Sequence, residues 1–322
     1  MKRLYLIVIA VLVLGLTAHA INLNVYCGQK KRLPNSITAA LKLINPAGPN
    51  TLTISGTCKE NVAIQGFNRL TLISTTGATI NDASGGTGFV VDIDDSTDIV
   101  LNGFTINGGV FGVACWDFSV CRFNGNTIQG ASAGGISVNI KSQATLGSNT
   151  IQNNGQGIVV EGGSFVRSWG GNVIQNNLLD AVTVDTAGSF ESFGDTLQNN
   201  VGSGMSSFHG DLLLIGTTVT GNGGYGVVVV EQSHVDIWFN NVITGNGISG
   251  VLLRDLSYAE IDGANTIIGN GSGTDVECQD YFTVVRGVTN IGGGTTNCTN
   301  ASAPQSSGLH RPSLNRAQPP SH

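Results

Sequence analysis

The chain has 322 residues, of which 46 are glycine, while 11% are charged and 6% are aromatic. Glycine is thus roughly twice as frequent as usual, which argues against a coiled coil, a helical bundle and a charged disordered chain, because all of these need more charge and less glycine. The net charge of −6 argues against a nucleic-acid binder, which would carry a basic surface.

Residues 1–20 are predicted to be an export signal. They contain a basic start, an apolar run at Leu4–Leu16 and the cleavage pattern Ala18-His19-Ala20. The run is shorter than the roughly 20 residues that span a bilayer, so we expect no membrane span; an uncleaved anchor is the alternative. Without the signal, 13 basic and 21 acidic residues remain, giving a net charge near −8. The prediction is a secreted, periplasmic or cell-surface protein.

The six cysteines are predicted to form structural disulfides, because an exported protein meets an oxidising environment. Pairing them in sequence order would tie together both end segments and one middle turn, although six cysteines allow 15 connectivities. A zinc site is disfavoured because no C-x-x-C motif or Cys/His cluster is present. The cysteines are Cys27, Cys58, Cys115, Cys121, Cys278 and Cys298.

A short amphipathic helix is predicted over Ile37–Ile44. Its apolar positions 37, 40, 41 and 44 have helical spacing, and Asn35 and Ser36 stand in front as N-cap candidates. Stacked strands expose an edge at each end of a repeat structure. We therefore expect this helix to cap the first turn.

The rest of the chain is built from repeats marked by one apolar anchor. Successive anchors are 22 to 24 residues apart, and looser copies at Ile54, Ile80 and Ile291 extend the series. The regular anchors are Ile106, Ile128, Ile151, Ile174, Leu197, Val219, Ile243 and Ile267.

Each repeat contains three short extended segments with alternating apolar and polar residues. One surrounds the anchor, one follows a glycine, as in Gly157–Val160, and one precedes the next anchor, as in His234–Trp238. Three strands per turn predict an all-β fold, a right-handed single-stranded parallel β-helix of about ten turns and ~48 Å. Leucine-rich repeats would require an L-x-x-L-x-L signature, and a left-handed helix would show a hexapeptide period.

Asparagines occupy fixed positions around the anchors. We expect them to form ladders, in which each side-chain amide binds the one in the next turn; a polar sugar-binding stripe is the alternative. One set follows the anchor by three residues and the other precedes it by two: Asn154, Asn177, Asn200, Asn222, Asn246 and Asn270, and Asn126, Asn149, Asn172, Asn241 and Asn265, with Asp195 replacing one member.

The N-x-I-x-x-N blocks, the G-I-x-V strands and the N-terminal helix resemble the repeat of the pectin-lyase-like superfamily over most of Asn50–Gly294. The resemblance implies an extracellular protein that faces carbohydrate. It does not imply one activity, because the fold hosts lyases, glycosidases, epimerases, adhesins and noncatalytic proteins. We predict a β-helix domain over residues 21–298, followed by a disordered tail over 299–322 that is rich in Ser, Pro and Gln.

The resemblance implies two possible chemistries, polysaccharide lysis and glycoside hydrolysis. Resembling lyases use an Arg or Lys base, usually with Ca²⁺; here Arg167 and Arg254 are the candidate bases, with ordinary solvated side chains as the alternative. The carboxylates that surround them disfavour a polyanionic substrate unless a metal is bound. The polygalacturonase pattern is not matched, since Asp94-Asp95 and the partial motif Phe208-His209-Gly210 lie about five turns, or ~24 Å, apart.

Two stacked carboxylate pairs are the candidate catalytic acids: Glu161 with Asp185, and Asp236 with Glu260. Like charges on adjacent strands repel, so such pairs often bind Ca²⁺ or share a proton; solvated side chains that lean apart are the alternative. Counting four residues beyond each strand-initial glycine predicts one outward column, in which Trp116 and Asn139 are candidate substrate-binding residues. The column is Asp92, Trp116, Asn139, Glu161, Asp185, Phe208, Val230 and Arg254.

The sequence therefore predicts an exported protein that binds or processes a polysaccharide along an elongated face. The alternative is a noncatalytic structural or adhesion module; an enzymatic activity would be that of a lyase or glycosidase. No cofactor is expected to be required, Ca²⁺ is compatible with the acidic pairs, and the metal ligands are unassigned. We expect a monomer without nucleic-acid partners, and neither His209 nor His234 has neighbours in sequence that predict catalysis.

Overall fold

The computed structural model describes residues 20–75, 77–271, 273–280 and 283–299. The chain winds through three parallel sheets, which we name A, B and C in the order in which each turn visits them. Sheet A contains Ile21–Cys27, Asn50–Lys59, Asn68–Ser74, Thr97–Asn102, Val120–Asn124, Gln143–Gly147, Phe165–Ser168, Ser189–Phe193, Asp211–Ile215, His234–Trp238, Tyr258–Asp262 and Val284–Arg286.

Sheets B and C have shorter strands. Sheet B begins with the end of Asn50–Lys59 and continues through Thr79–Asn81, Thr105–Asn107, Thr127–Gln129, Thr150–Gln152, Val173–Gln175, Thr196–Gln198, Thr218–Thr220, Val242–Thr244 and Thr266–Ile268. Sheet C contains Val62–Gln65, Val91–Asp94, Phe111–Trp116, Gly134–Val138, Gln156–Val160, Val182–Asp185, Met205–Phe208, Val227–Val230, Val251–Leu253 and Val276–Cys278. The predicted parallel β-solenoid of about ten turns is confirmed.

The predicted anchors stack in register along sheet B. Ile151, for example, pairs with Ile128 on one side and Ile174 on the other. The assignment of Ile54 to this column was wrong: Cys58 is the partner of Ile80, because the long strand Asn50–Lys59 crosses from sheet A into sheet B before it reaches the anchor position.

The interior of the solenoid is one continuous apolar core. Inward positions alternate with outward ones along each strand, and the inward Ile, Val, Leu and Phe side chains are fully buried. Burial of such a side chain contributes about 1.5–3 kcal/mol relative to exposure. Since a single turn has no partner for its apolar face, each turn depends on the turns above and below it.

The asparagine ladders are confirmed, and the sugar-binding alternative was wrong because these side chains are buried. Asn177 is typical. Its side-chain oxygen accepts the main-chain N–H and the side-chain Nδ2 of Asn154, at 3.0 and 3.2 Å, and its own Nδ2 donates to Asn200 at 2.8 Å. The ladders thus satisfy buried backbone groups at the corners before and after sheet B.

A serine ladder at the corner between sheets C and A was not predicted. The main-chain N–H of Ser96 donates to the Ser119 hydroxyl, that of Ser119 to Ser142, and that of Ser142 to Ser164. Left-handed residues form the adjoining turns, including Ile140 at φ 53°, an unusual conformation for a β-branched residue.

The capping helix, α1, spans Ile37–Leu41 and contacts the first strands. Its N-cap is Ser36, whose side chain accepts the N–H of Ala39 at 3.1 Å. The helix is shorter than the predicted Ile37–Ile44: Lys42 is its C-cap, and the chain tightens there, since the N–H of Leu43 donates to the Ala40 carbonyl three residues earlier at 3.0 Å. Ile44 is nevertheless buried.

Three disulfides close the pairs suggested by sequence order: Cys27–Cys58, Cys115–Cys121 and Cys278–Cys298. In the part of the chain that the structure describes, no helix is long and apolar enough to cross a bilayer. The predicted signal, up to residue 19, and the predicted tail, from residue 300, lie outside the described residues.

Candidate functional site

The sequence-predicted site residues lie on two different faces of the solenoid. Trp116, Asn139, Glu161, Asp185 and Arg254 lie along the outer side of sheet C or at its end, whereas Arg167, Asp236 and Glu260 lie on the outer side of sheet A. The structure therefore offers two candidate surfaces rather than one site.

On sheet C, the predicted neighbours Glu161 and Asp185 follow paired residues of adjacent strands. Asn139 donates from Nδ2 to Glu161 Oε2 at 3.1 Å. Burial, and then the negative charge of Asp185, raise the pKa of the Glu161 carboxyl. The pair thus combines Glu161, a carboxyl with a raised pKa, with the half-buried side chain of Asp185.

One member of the predicted sheet C column was wrong. Asp94, not Asp92, pairs with Trp116, because Val90 rather than Gly88 stands where later turns have the strand-initial glycine. Trp116 donates from Nε1 to the Ser137 hydroxyl at 3.2 Å. At the far end of the column, Arg254 binds the adjacent Asp255 at 2.8 Å.

On sheet A, Asp236 and Glu260 are directly paired, as predicted. Asp236 lies beside His234 of the same strand, a residue for which the sequence predicted no catalytic role. His234 Nε2 lies 3.1 Å from Asp236 Oδ1, and its Nδ1 lies 3.7 Å from Asp211 Oδ1. The Asp236 side chain is only 13% exposed, whereas that of Asp211 is 67% exposed, so one carboxylate is fixed within the surface and the other faces solvent.

Tyr258 covers the other side of the imidazole. Its ring stacks on His234 with centroids 5.1 Å apart, and its hydroxyl donates to Glu260 Oε2 at 3.2 Å. Burial and the nearby Glu260 carboxylate raise the pKa of Tyr258, so the hydroxyl remains a donor. Arg286 is paired with Glu260 on the next strand. We call these six residues the His234 cluster: Asp211, His234, Asp236, Tyr258, Glu260 and Arg286.

Aromatic rings continue along the same face. Trp169 and Phe193 stack with centroids 5.2 Å apart and an interplanar angle of 23°, and Trp238 follows two turns later. The Arg167 guanidinium lies 5.3 Å from the Phe165 ring and 5.4 Å from the Trp169 ring. We call the outer side of the strands from Phe165–Ser168 to Val284–Arg286 the sheet A face.

Arg167 is engaged in this face rather than free. Its Nε donates to Glu191 Oε2 at 2.5 Å, so the guanidinium already has a carboxylate partner. The surroundings of Arg167 thus suit a polar contact. Its predicted role as a base stays a prediction, as does that of Arg254.

The repeat register contained the signal for the missed cluster. His234 and Tyr258 each stand nine residues before an anchor, Ile243 and Ile267, so the same counting that paired Asp236 with Glu260 also pairs these two rings. Arg286 had no such signal, because the anchor that follows it, Ile291, is only five residues away.

Among the described residues, one group has the ligand spacing of a metal site: Cys27, Cys58 and Glu60. Its two cysteines form a disulfide, and Glu60 accepts hydrogen bonds from the main-chain N–H groups of Ile37 and Thr38. This group is therefore structural. Ca²⁺ at the carboxylate pairs stays a prediction.

Three solved structures have a backbone path similar to that of this chain. The enzymatically active domain of tailspike protein 2 from bacteriophage CBA120 matches with a TM-score of 0.63, 14% identity and coverage of 74% of this chain and 43% of that one. The A-module of mannuronan C-5 epimerase AlgE6 from Azotobacter vinelandii gives 0.52 at 13% identity, covering 84% and 91%. Pectate lyase Pel9A gives 0.50 at 13% identity, covering 90% and 80%.

The chain has the pectin-lyase-like right-handed β-helix fold. Identities of this size establish the fold alone, and this β-helix spans less than half the length of the tailspike domain. No family model and no curated protein matches the sequence. The function of this β-helix therefore depends on the residues of its own surface.

Proposed function

We propose that this protein binds a polysaccharide chain along the sheet A face. The observation that carries the proposal is a set of outward rings on four of five consecutive turns: Phe165 and Trp169 on the first, Phe193 on the second, Trp238 on the fourth and Tyr258 on the fifth. Flat aromatic faces pack against the apolar C–H faces of sugar rings, and each large ring offers about 150–250 Å² for burial. Trp169 is 45% exposed and is available for such a contact.

The dimensions of the face suit an extended chain rather than a single sugar. Its six strands span about 24 Å at 4.7–4.9 Å per strand. The polar groups between the rings, such as the Arg167–Glu191 pair, provide donors and acceptors for sugar hydroxyls. The structural neighbours support the proposal, since they include an epimerase named for mannuronan and a pectate lyase.

Action outside the cytoplasm belongs to the same proposal. The three disulfides support it, because disulfides persist in oxidising compartments.

Binding to a panel of neutral, acidic and amino oligosaccharides, measured by titration calorimetry, tests the proposal. Trp169→Ala and Phe193→Ala are expected to weaken binding about tenfold each, equivalent to ~1.4 kcal/mol. Trp116→Ala is the matched control, because Trp116 lies on sheet C. Unchanged affinity in both sheet A variants, or loss of affinity in the control alone, would place the ligand elsewhere and reject the proposal.

A second candidate function is glycoside hydrolysis on sheet C, favoured by the raised pKa of Glu161 beside Asp185. Protonated Glu161 would give its proton to the glycosidic oxygen as the C1–O bond breaks, and the Asp185 carboxylate would bond to C1 until water releases it. Neighbouring strands lie ~4.7–4.9 Å apart, which is close to the ~5–5.5 Å carboxyl separation of retaining enzymes. Loss of reducing-sugar release in both Glu161→Gln and Asp185→Asn would support this candidate, and full activity in either would reject it.

A further inference from the structure

Charge distinguishes the sheet A face from a surface built for acidic polysaccharides. Its six strands carry five carboxylates and two guanidiniums. The charge of Arg167 is already matched by Glu191 at 2.5 Å. Even with His234 protonated, acidic groups outnumber basic ones by five to three on this face, and the whole chain has a net charge of −6.

The carboxylates of the face lie beside rings rather than apart from them. Glu260 accepts the Tyr258 hydroxyl at 3.2 Å, and Tyr258 stacks on His234. Asp211, which faces solvent, flanks the same imidazole. An ammonium group at this position would meet the carboxylate oxygens of Asp211 and Glu260, which attract cations.

A uronate carboxylate would be repelled at this position rather than attracted. Within the His234 cluster, Arg286 is the one permanently charged cation, and its guanidinium lies 5.9 Å from the centre of the Tyr258 ring. The three carboxylates of the cluster, Asp211, Asp236 and Glu260, outnumber this one cation and would repel the ligand at short range.

We propose that the ligand of the sheet A face is a polysaccharide of amino sugars with free, protonated amino groups. The rings hold the sugar faces, and Asp211 and Glu260 bind the ammonium groups. The inference rests on the proposed function and adds the chemical class of the ligand to it.

Titration of three oligosaccharides of equal length tests this assignment: deacetylated chito-oligosaccharide, its N-acetylated counterpart and oligogalacturonate. We expect the deacetylated ligand to bind roughly tenfold tighter than the acetylated one at low salt, and oligogalacturonate to bind weakest. The preference should shrink at high salt, because salt screens partly exposed charges.

Two variants test the residues. Asp211→Asn and Glu260→Gln are each expected to reduce the preference for the deacetylated ligand about threefold while leaving affinity for the acetylated ligand unchanged. Asp117→Asn, at the exposed turn after the sheet C strand Phe111–Trp116, is the control and should leave both affinities unchanged. Equal binding of the two chito-oligosaccharides, or tighter binding of oligogalacturonate, would overturn the inference and leave the proposed function standing; binding of no oligosaccharide would overturn both.

Discussion

Removal of one ladder amide, in Asn177→Ala, should be among the most damaging single changes in this protein. Asn177 is fully buried, and its side-chain oxygen accepts the main-chain N–H of Asn154 at 3.0 Å. Alanine leaves that N–H without an acceptor, and a buried unsatisfied donor costs about 1–3 kcal/mol. The side-chain bonds to Asn154 and Asn200 contribute about 1 kcal/mol each. The sum is about 3–5 kcal/mol, a large part of the ~5–15 kcal/mol that stabilises a typical domain.

Guanidinium unfolding followed by circular dichroism and tryptophan fluorescence measures this loss. The two signals should change together if the turns unfold as one cooperative unit. Asn176→Gly is the matched control: Asn176 is exposed and left-handed at φ 55°, and Gly221 stands at the equivalent place two turns later. We expect the control to change stability by less than about 0.5 kcal/mol. A loss below about 1 kcal/mol in Asn177→Ala would refute the reasoning that the ladder satisfies buried backbone groups.

Three further predictions concern stability and pH. Burial raises the pKa of Asp195, so the folded state binds this proton more tightly than the unfolded state. The contribution of Asp195 to the free energy of unfolding therefore falls as pH rises above the unfolded pKa. Asp195→Asn should stabilise the protein more at pH 7 than at pH 4, as measured by denaturant titration at both values. Ile140→Gly should raise the free energy of unfolding by about 1 kcal/mol, because Ile140 has a left-handed backbone at φ 53° and the equivalent position of the next turn is a glycine, Gly162. A lowered melting temperature would contradict this. Ile174→Ala should lower the free energy of unfolding by about 2–5 kcal/mol in the same assay, since Ile174 is fully buried between Ile151 and Leu197. A loss below about 1 kcal/mol would contradict the tight stacking of the anchors.

Most of the fold could be predicted from the sequence because each turn repeats the same physical constraints. A buried apolar anchor every 22 to 24 residues and an asparagine at a fixed offset specify both the stacking and the register. The predictions for Ile54 and Asp92 were wrong in the early turns, where the spacing of the repeat is irregular. A long continuous strand carries Ile54 into sheet A, and two additional residues separate Gly88 from its strand.

The candidate surface was harder to predict because it depends on side chains from several turns. The pairing of Asp236 with Glu260 followed from the register alone. The contacts of His234 with Asp236 and Tyr258 depend also on how far each side chain leans toward its neighbour, which spacing does not specify. The stacking of Trp169 on Phe193 likewise depends on the direction in which each ring leans, which the repeat spacing does not specify.

A crystal structure of the protein with a bound chito-oligosaccharide tests the central claim most directly, because it locates the sugar on the surface. Our account predicts sugar rings packed on Trp169 and Phe193, with an amino group within hydrogen-bond distance of Asp211 or Glu260. Sugar bound instead along sheet C, beside Trp116 and Glu161, would contradict it.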